Sequence, residues 1–252
     1  MDRAKRAVRG LLRRGGFDVV RYTSPALPSD FDEDLVDTVR AVEPFTMTTP
    51  ELLEALVRAV RWIADNGIEG AIVECGVWRG GSMMAAARTL LQRDDQRDLY
   101  LFDTFSGMTE PGGHDVRFDG KTPSEALAVE RPGAASIAEF ALAGLPEVRR
   151  NMSTVGYPPD RIHYVEGKVE DTIPSAAPPR IALLRLDTDW YESTRHELEH
   201  LFPRVRSGGI VIVDDYGTWQ GAKRAVDEYL AKLDRPLMLH RIDFTGRLLM
   251  VP

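Results

Sequence analysis

A single cysteine, Cys75, is all the thiol this chain of 252 residues carries. An internal disulfide is therefore excluded, and a reducing cytoplasm is the expected setting. Long apolar runs are missing as well: nothing approaches the roughly 18 residues that a membrane span needs. The opening stretch MDRAKRAVRGLLRRGGF lacks the apolar segment of a secretory signal. Basic charge is in deficit, with 32 Lys and Arg against 39 Asp and Glu and a formal net charge of −7. That balance argues against a nucleic-acid binder. Basic residues do gather at the N-terminus around Ala7, Val8, Leu11 and Leu12, but so small an apolar face suits a solvated or subunit-contacting helix better than a membrane-bound one. Residues 1–42 read as an extension and 43–252 as one domain, with a homo-oligomer, most simply a dimer, as the expected assembly.

Phosphate-binding glycines are absent too. VECGVWRGGS spaces Gly76, Gly80 and Gly81 by four and then one. A dinucleotide fingerprint needs glycine where Trp78 stands, and a P-loop needs Gly-Lys-Ser/Thr. What remains is a tight strand-to-helix turn with Glu74 near the strand end. Such a carboxylate suits a cationic ligand without phosphate, such as the amino and sulfonium groups of S-adenosylmethionine.

What the chain does contain is alternation. TPELLEALVRAVRWIADNG carries Leu52, Leu53, Leu56, Val57, Val60 and Ile63 at helical spacing behind Thr49-Pro50, a good N-cap and first-turn pair. GAIVEC, DLYLFD, RIHYVEG, RIALLRLD and GGIVIVDD read as five strands with helical stretches between them, and PLMLHRIDFTGRLLMVP reads as a hairpin turning at Phe244-Thr245-Gly246. The fold class is α/β: a parallel sheet with helices on both faces, closed by a C-terminal antiparallel hairpin. Residues 107–150 interrupt the pattern, and an insertion leaving the second strand would lie over the C-terminal sheet edge as a lid.

Two strand ends carry acids. Asp103 closes DLYLFD, where a carboxylate can accept both hydroxyls of a ribose. LLRLDTDWYEST runs apolar residues into Asp187 and Asp189, read as a like-charged pair with no basic residue beside it, which something must hold. IVIVDDY ends in Asp214 and Asp215, and the 27 residues from 187 to 214 fit one crossover between parallel neighbours. Asp187 and Asp214 should then lie side by side, one strand spacing of about 4.8 Å apart. A hard divalent cation, Mg²⁺ before others, relieves that crowding through oxygen ligands. HELEH, residues 196–200, matches a zinc-protease pattern, but His196 and His200 fall about 200° around the helix from Leu198, away from the apolar stripe. His114, in the insertion, is the histidine placed to reach a substrate, whereas His163 and His240 sit in strands.

Four co-linear stretches, IVECGVWRGGSMMAAARTL, LFDTFSGM, LRLDTDWYEST and SGGIVIVDDY, resemble the macrocin O-methyltransferase family over residues 43 to 230. The resemblance implies a Rossmann-like class I methyltransferase that uses S-adenosylmethionine and Mg²⁺ to methylate sugar hydroxyls of glycosides. It implies that Glu74, Cys75, Gly76, Val77 and Trp78 line the methionine end of the cofactor. Asp103, Ser106 and Gly107 would hold its ribose, Lys168 and Val169 its adenine, and Thr46 and Met47 would touch it from upstream. Asp187, Asp214 and Asp215 match metal ligands, and Asp189 matches a general base. The rival reading takes Asp187-Thr188-Asp189 as the D-x-D motif of a metal-dependent glycosyltransferase.

Overall fold

In the computed structural model, residues 27–130 and 136–252 are described. The basic N-terminal stretch lies outside the described residues. The compact unit that carries the site spans Asp32–Pro252, so it begins ten residues or so before position 43. The reason is helix α1 (Glu33–Val42), where Leu35, Thr38, Val39 and Val42 form a buried stripe at helical spacing. Asp32 caps it, its Oδ1 accepting from the Leu35 amide at 2.9 Å. Helix α2 (Pro50–Asp65) starts as its sequence predicts, with Thr49 as N-cap and Pro50 in the first turn, and all six residues of the predicted stripe are buried.

The sheet has seven strands in the order β3-β2-β1-β4-β5-β7-β6. These are β1 (Ala71–Cys75), β2 (Leu99–Asp103), β3 (Ile162–Glu166), β4 (Ile181–Leu186), β5 (Val205–Val213), β6 (His240–Arg241) and β7 (Arg247–Met250). The first five run parallel, and β7 pairs antiparallel with β5 and with β6, which gives the expected terminal hairpin. Every residue of β1 and β4 is buried, so both faces of the central sheet are covered. Helix α3 (Gly81–Gln92) packs with α2, and α8 (Tyr191–Leu201) packs with α9 (Gln220–Leu230).

The insertion after β2 contains α4 (Pro123–Glu130), α5 (Ile137–Phe140) and α6 (Leu145–Ser153), and a short α7 (Val169–Thr172) follows β3. Its first half is stitched to the C-terminal edge of the sheet. Buried Asp115 accepts from the Gly112 amide at 2.6 Å and from the Tyr191 amide at 2.8 Å, at the start of α8. Phe118 donates its amide to Thr218 O, and Gln220 donates to Val116 O. Ala126 and Ile137 then pack on Trp190, Trp219 and Ala222. These contacts form a roof exactly where open α/β sheets leave their ligand crevice.

Candidate active site

The glycine turn is built by close backbone approach. Gly76 has φ +83°, and a Cβ there would lie 1.9 Å from the Asp187 carbonyl oxygen. The Asp187 amide donates to Cys75 O at 2.8 Å, so the ends of β1 and β4 are locked together at the turn. Trp78 also takes a positive φ of 48°, a strained conformation for a bulky side chain. Asp103 holds this turn: its carboxylate accepts from the amides of Val77 at 2.7 Å, Trp78 at 3.1 Å and Phe105 at 2.7 Å. Burial raises its pKa and these amide bonds oppose the rise. A carboxylate offers about four lone-pair sites. Three of these are committed to the turn, and the Thr104 hydroxyl lies 3.5 Å from Oδ1.

The acids of β4 and β5 do come together. Leu186 pairs with Val213 and the Asp214 amide donates to Leu186 O, which sets Asp187 beside Asp214. One oxygen from each of Asp187, Asp214 and Asp215 lies within 4.8 Å of the others. Asp189 sits at φ +67°, its Oδ1 accepting from the Trp219 indole N–H at 2.9 Å and its amide donating to Asp215 Oδ2 at 3.2 Å. Desolvation, and next the neighbouring carboxylates, push Asp189 and Asp215 well above the usual carboxylate range. Asp187 is raised in the same direction by desolvation, against the pull of a guanidinium.

That guanidinium corrects the expectation of acids without a basic neighbour. Arg185 is 2% exposed and points the same way as Asp187, two residues on along the strand. It donates to Glu74 Oε1 at 2.7 Å, to Asp187 Oδ2 at 2.7 Å, to Thr48 Oγ1 at 2.9 Å and to Asp214 Oδ2. Glu74 therefore faces Arg185 inside the protein, not a ligand. Burial pushes its pKa up to about 7, with Arg185 opposing, and its Oε2 has no hydrogen-bond partner. Cys75 points to the opposite face of the sheet, where its thiol lies beside Glu197 of α8.

A cavity of about 340 Å³ opens over these strand ends, within the range of small-molecule sites. Thr46, Met47, Gly76, Val77, Trp78, Asp103, Gly107, Lys168 and Val169 line it together with Asp187, Asp189, Asp214 and Asp215. Glu74, Cys75 and Ser106 are outside that lining; Ser106 is exposed and its amide turns back to Thr104 Oγ1. Also in the wall are residues the sequence did not single out: Thr48 and Ser82, whose hydroxyls meet at 3.2 Å, Arg185, and the edge-to-face pair Trp190 and Trp219. Of these, only Arg185 had a signal, since strand alternation puts it on the Asp187 side. The histidines stay away: His114 packs on Tyr191 and Arg224, His196 contacts Ile173 O at 3.0 Å, and His163 contacts Asp98. Among the described residues the aspartate triad is the one grouping of three or more potential ligands within reach of a single ion.

Comparison with known proteins is consistent along the chain. The family model described as macrocin O-methyltransferase matches residues 36–249. A demethyldecarbamoylnovobiocin O-methyltransferase from Streptomyces niveus is 36% identical over 204 residues, 80% of this chain and 73% of that protein. The 8-demethyl-8-(2,3-dimethoxy-alpha-L-rhamnosyl)-tetracenomycin-C 4'-O-methyltransferase of Streptomyces olivaceus is 34% identical over 80% of this chain and 73% of its own length. The solved structure of the O-methyltransferase NovP is similar with a TM-score of 0.70 at 33% identity, covering 82% of each chain. No described helix is long and apolar enough to cross a membrane.

Proposed function

Because the chain belongs to the macrocin O-methyltransferase family, we propose that it transfers the methyl group of S-adenosylmethionine to a sugar hydroxyl of a glycoside, with Mg²⁺ at the aspartate triad. The observation that carries this reading is the meeting of Asp187, Asp214 and Asp215 in the wall of a cavity that the Gly76 turn also lines. The rhamnosyl acceptor named for the Streptomyces olivaceus relative supports a sugar as the acceptor class. The glycosyltransferase reading of Asp187-Thr188-Asp189 draws no support from these relatives and leaves the glycine turn without a role.

The donor set fits the ion. Three carboxylates offer hard oxygens of the kind Mg²⁺ prefers, and opposite ligands of an octahedral ion lie about 4.2 Å apart. The present spread of 4.8 Å comes within that limit by small side-chain rotations. Glu74, Asp187 and Asp214 pair with Arg185, and Asp189 and Asp215 crowd the same end of the cavity, where burial and neighbouring carboxylates raise their pKa values; a divalent ion would relieve that crowding. Bound Mg²⁺ would supply the charge that makes a sugar hydroxyl easier to deprotonate.

The chain's own groups supply position and a proton acceptor. Gly76, Val77 and Trp78, with Thr46 and Met47 opposite, would flank the methionine end of the cofactor. Asp103 and Gly107 would hold the ribose, and Lys168 and Val169 would border the adenine. Asp189, with one oxygen engaged by Trp219, would take the hydroxyl proton on the other. Methyl transfer is an in-line displacement, so holding acceptor oxygen, methyl carbon and sulfur in register provides much of the acceleration. Trp190, Met108 and Ala141 would close the acceptor side to water. The test is a radiolabel assay: purified protein, methyl-labelled S-adenosylmethionine and a panel of rhamnosides and other glycosides, with Mg²⁺ or with EDTA. Label should enter the glycoside only with Mg²⁺. Undiminished transfer in EDTA removes the metal, and binding of UDP- or GDP-sugars in place of S-adenosylmethionine removes the methyltransferase.

A further inference from the structure

We propose that Arg185 is the positioning residue of the metal site: it binds one oxygen of each of two aspartates and thereby presents their other oxygens to the divalent ion. The proposal rests on the metal reading above and goes beyond it, because no ligand role falls to a cation. The strand register dictates the arrangement. Arg185 lies directly across from Glu74 on β1 and across from Ile212 on β5. Asp187 and Asp214 are each two residues further along, so all four side chains fall on one face of three adjacent strands. Arg185 spans them as a fork. One terminal nitrogen serves Glu74 and Asp187, and the other serves Asp214 and Thr48.

The consequence for the ion follows from which oxygens are used. At both Asp187 and Asp214 the guanidinium takes Oδ2, so each carboxylate is tethered through one oxygen with Oδ1 left over. A planar, permanently charged fork can do this for two carboxylates on different strands, and a lysine cannot, since its ammonium is a point charge on a flexible stem. Glu74 completes the device from behind. Buried at 1% exposure and reaching no part of the cavity lining, it anchors the guanidinium from the side away from the ion. Removing a partner that orients metal ligands from outside typically costs about 10–100-fold in metal affinity.

The deciding measurement is Mn²⁺ binding to the full chain without cofactor or acceptor, read from the free-ion signal in electron paramagnetic resonance. Arg185→Lys keeps the charge and loses the fork, and is expected to raise the Mn²⁺ Kd about 10–100-fold while S-adenosylmethionine still binds. Glu74→Gln, which alters nothing facing the ion, is expected to weaken Mn²⁺ in the same direction by less. It also decides the matter if Arg185→Lys fails to fold. Mn²⁺ bound equally well or more tightly by the folded variants overturns the proposal, because Arg185 would then be indifferent or a competitor for the carboxylates. Failure of the unaltered protein to take up Mn²⁺ overturns the metal reading itself, a result distinguishable from the first.

Discussion

Glu197 offers the sharpest test of the electrostatics behind the segment that follows β4. It is fully buried on α8, accepts from the Thr188 hydroxyl at 3.0 Å, and has one oxygen without a partner. Desolvation drives its pKa well above the ordinary value of 4.5, so the folded protein holds a proton there that the unfolded chain releases. The sign follows: the stabilisation is complete below about pH 4.5 and is lost as pH rises towards the folded pKa. Each pH unit in that window costs about 1.4 kcal/mol, so moving from pH 5 to pH 7 costs at most about 2.7 kcal/mol at this one residue. Glu197→Gln keeps the acceptor for Thr188 and cannot ionise. Its amide protons cost a constant offset, but the pH-dependent part disappears. In urea denaturation at a series of pH values, the stability of the unaltered protein minus that of the variant should fall as pH rises from 5 to 7, by no more than about 1.4 kcal/mol per pH unit. The other buried carboxylates titrate in both proteins and cancel in the difference. A flat difference curve would mean that Glu197 is ionised in the fold, and the account of this buried acid would be wrong.

Three further outcomes follow from the geometry. Gly76→Ala must lose more than the about 1–2 kcal/mol that a left-handed conformation costs an ordinary residue, because its Cβ overlaps the Asp187 carbonyl; urea melts and S-adenosylmethionine calorimetry would register both the instability and lost binding. Asp189→Asn should lower turnover about 10²–10⁴-fold with no fall in Tm, since it removes one of several crowded charges and keeps the Trp219 bond. Full turnover would strip Asp189 of its role. Asp32→Ala should cost about 1 kcal/mol at pH 6 through loss of the α1 cap. The pKa of Asp32 is held down to about 2 by its bond with Arg61, so that contribution is present above pH 4 and fades as pH falls through 2. Equal losses at pH 6 and pH 2 would contradict it.

Much of the frame was legible because its signals are local. β1 and β4 are short, buried, mainly apolar runs, the 27-residue spacing from Asp187 to Asp214 carries one crossover, and the acids at the strand ends converge as that spacing requires. The stripe of α2 also followed from periodicity, whereas His196, expected to face solvent, is half-buried against Ile173 O. The direction of Glu74 and Cys75 did not. Central parallel strands are apolar on both faces, so alternation separates the two residues without telling which faces the cavity. Arg185 was misjudged for a related reason: read as a member of an apolar run, it was not counted among the neighbours of Asp187, although a two-residue step puts both on one side. Trp219 and Thr48 reach the site from segments with no periodic pattern, where only tertiary contacts decide position. Helix α1 was hidden in what read as an extension, its buried face being only four residues.

The contact between Gly76 and the Asp187 carbonyl binds two jobs to one hinge of backbone. The Gly76 turn and the end of β4 that carries Asp187 share a joint with no room for a single methyl group, so they can shift only in concert. Anyone grafting a different donor loop into this scaffold, or recruiting the acids for another ion, inherits both halves or neither.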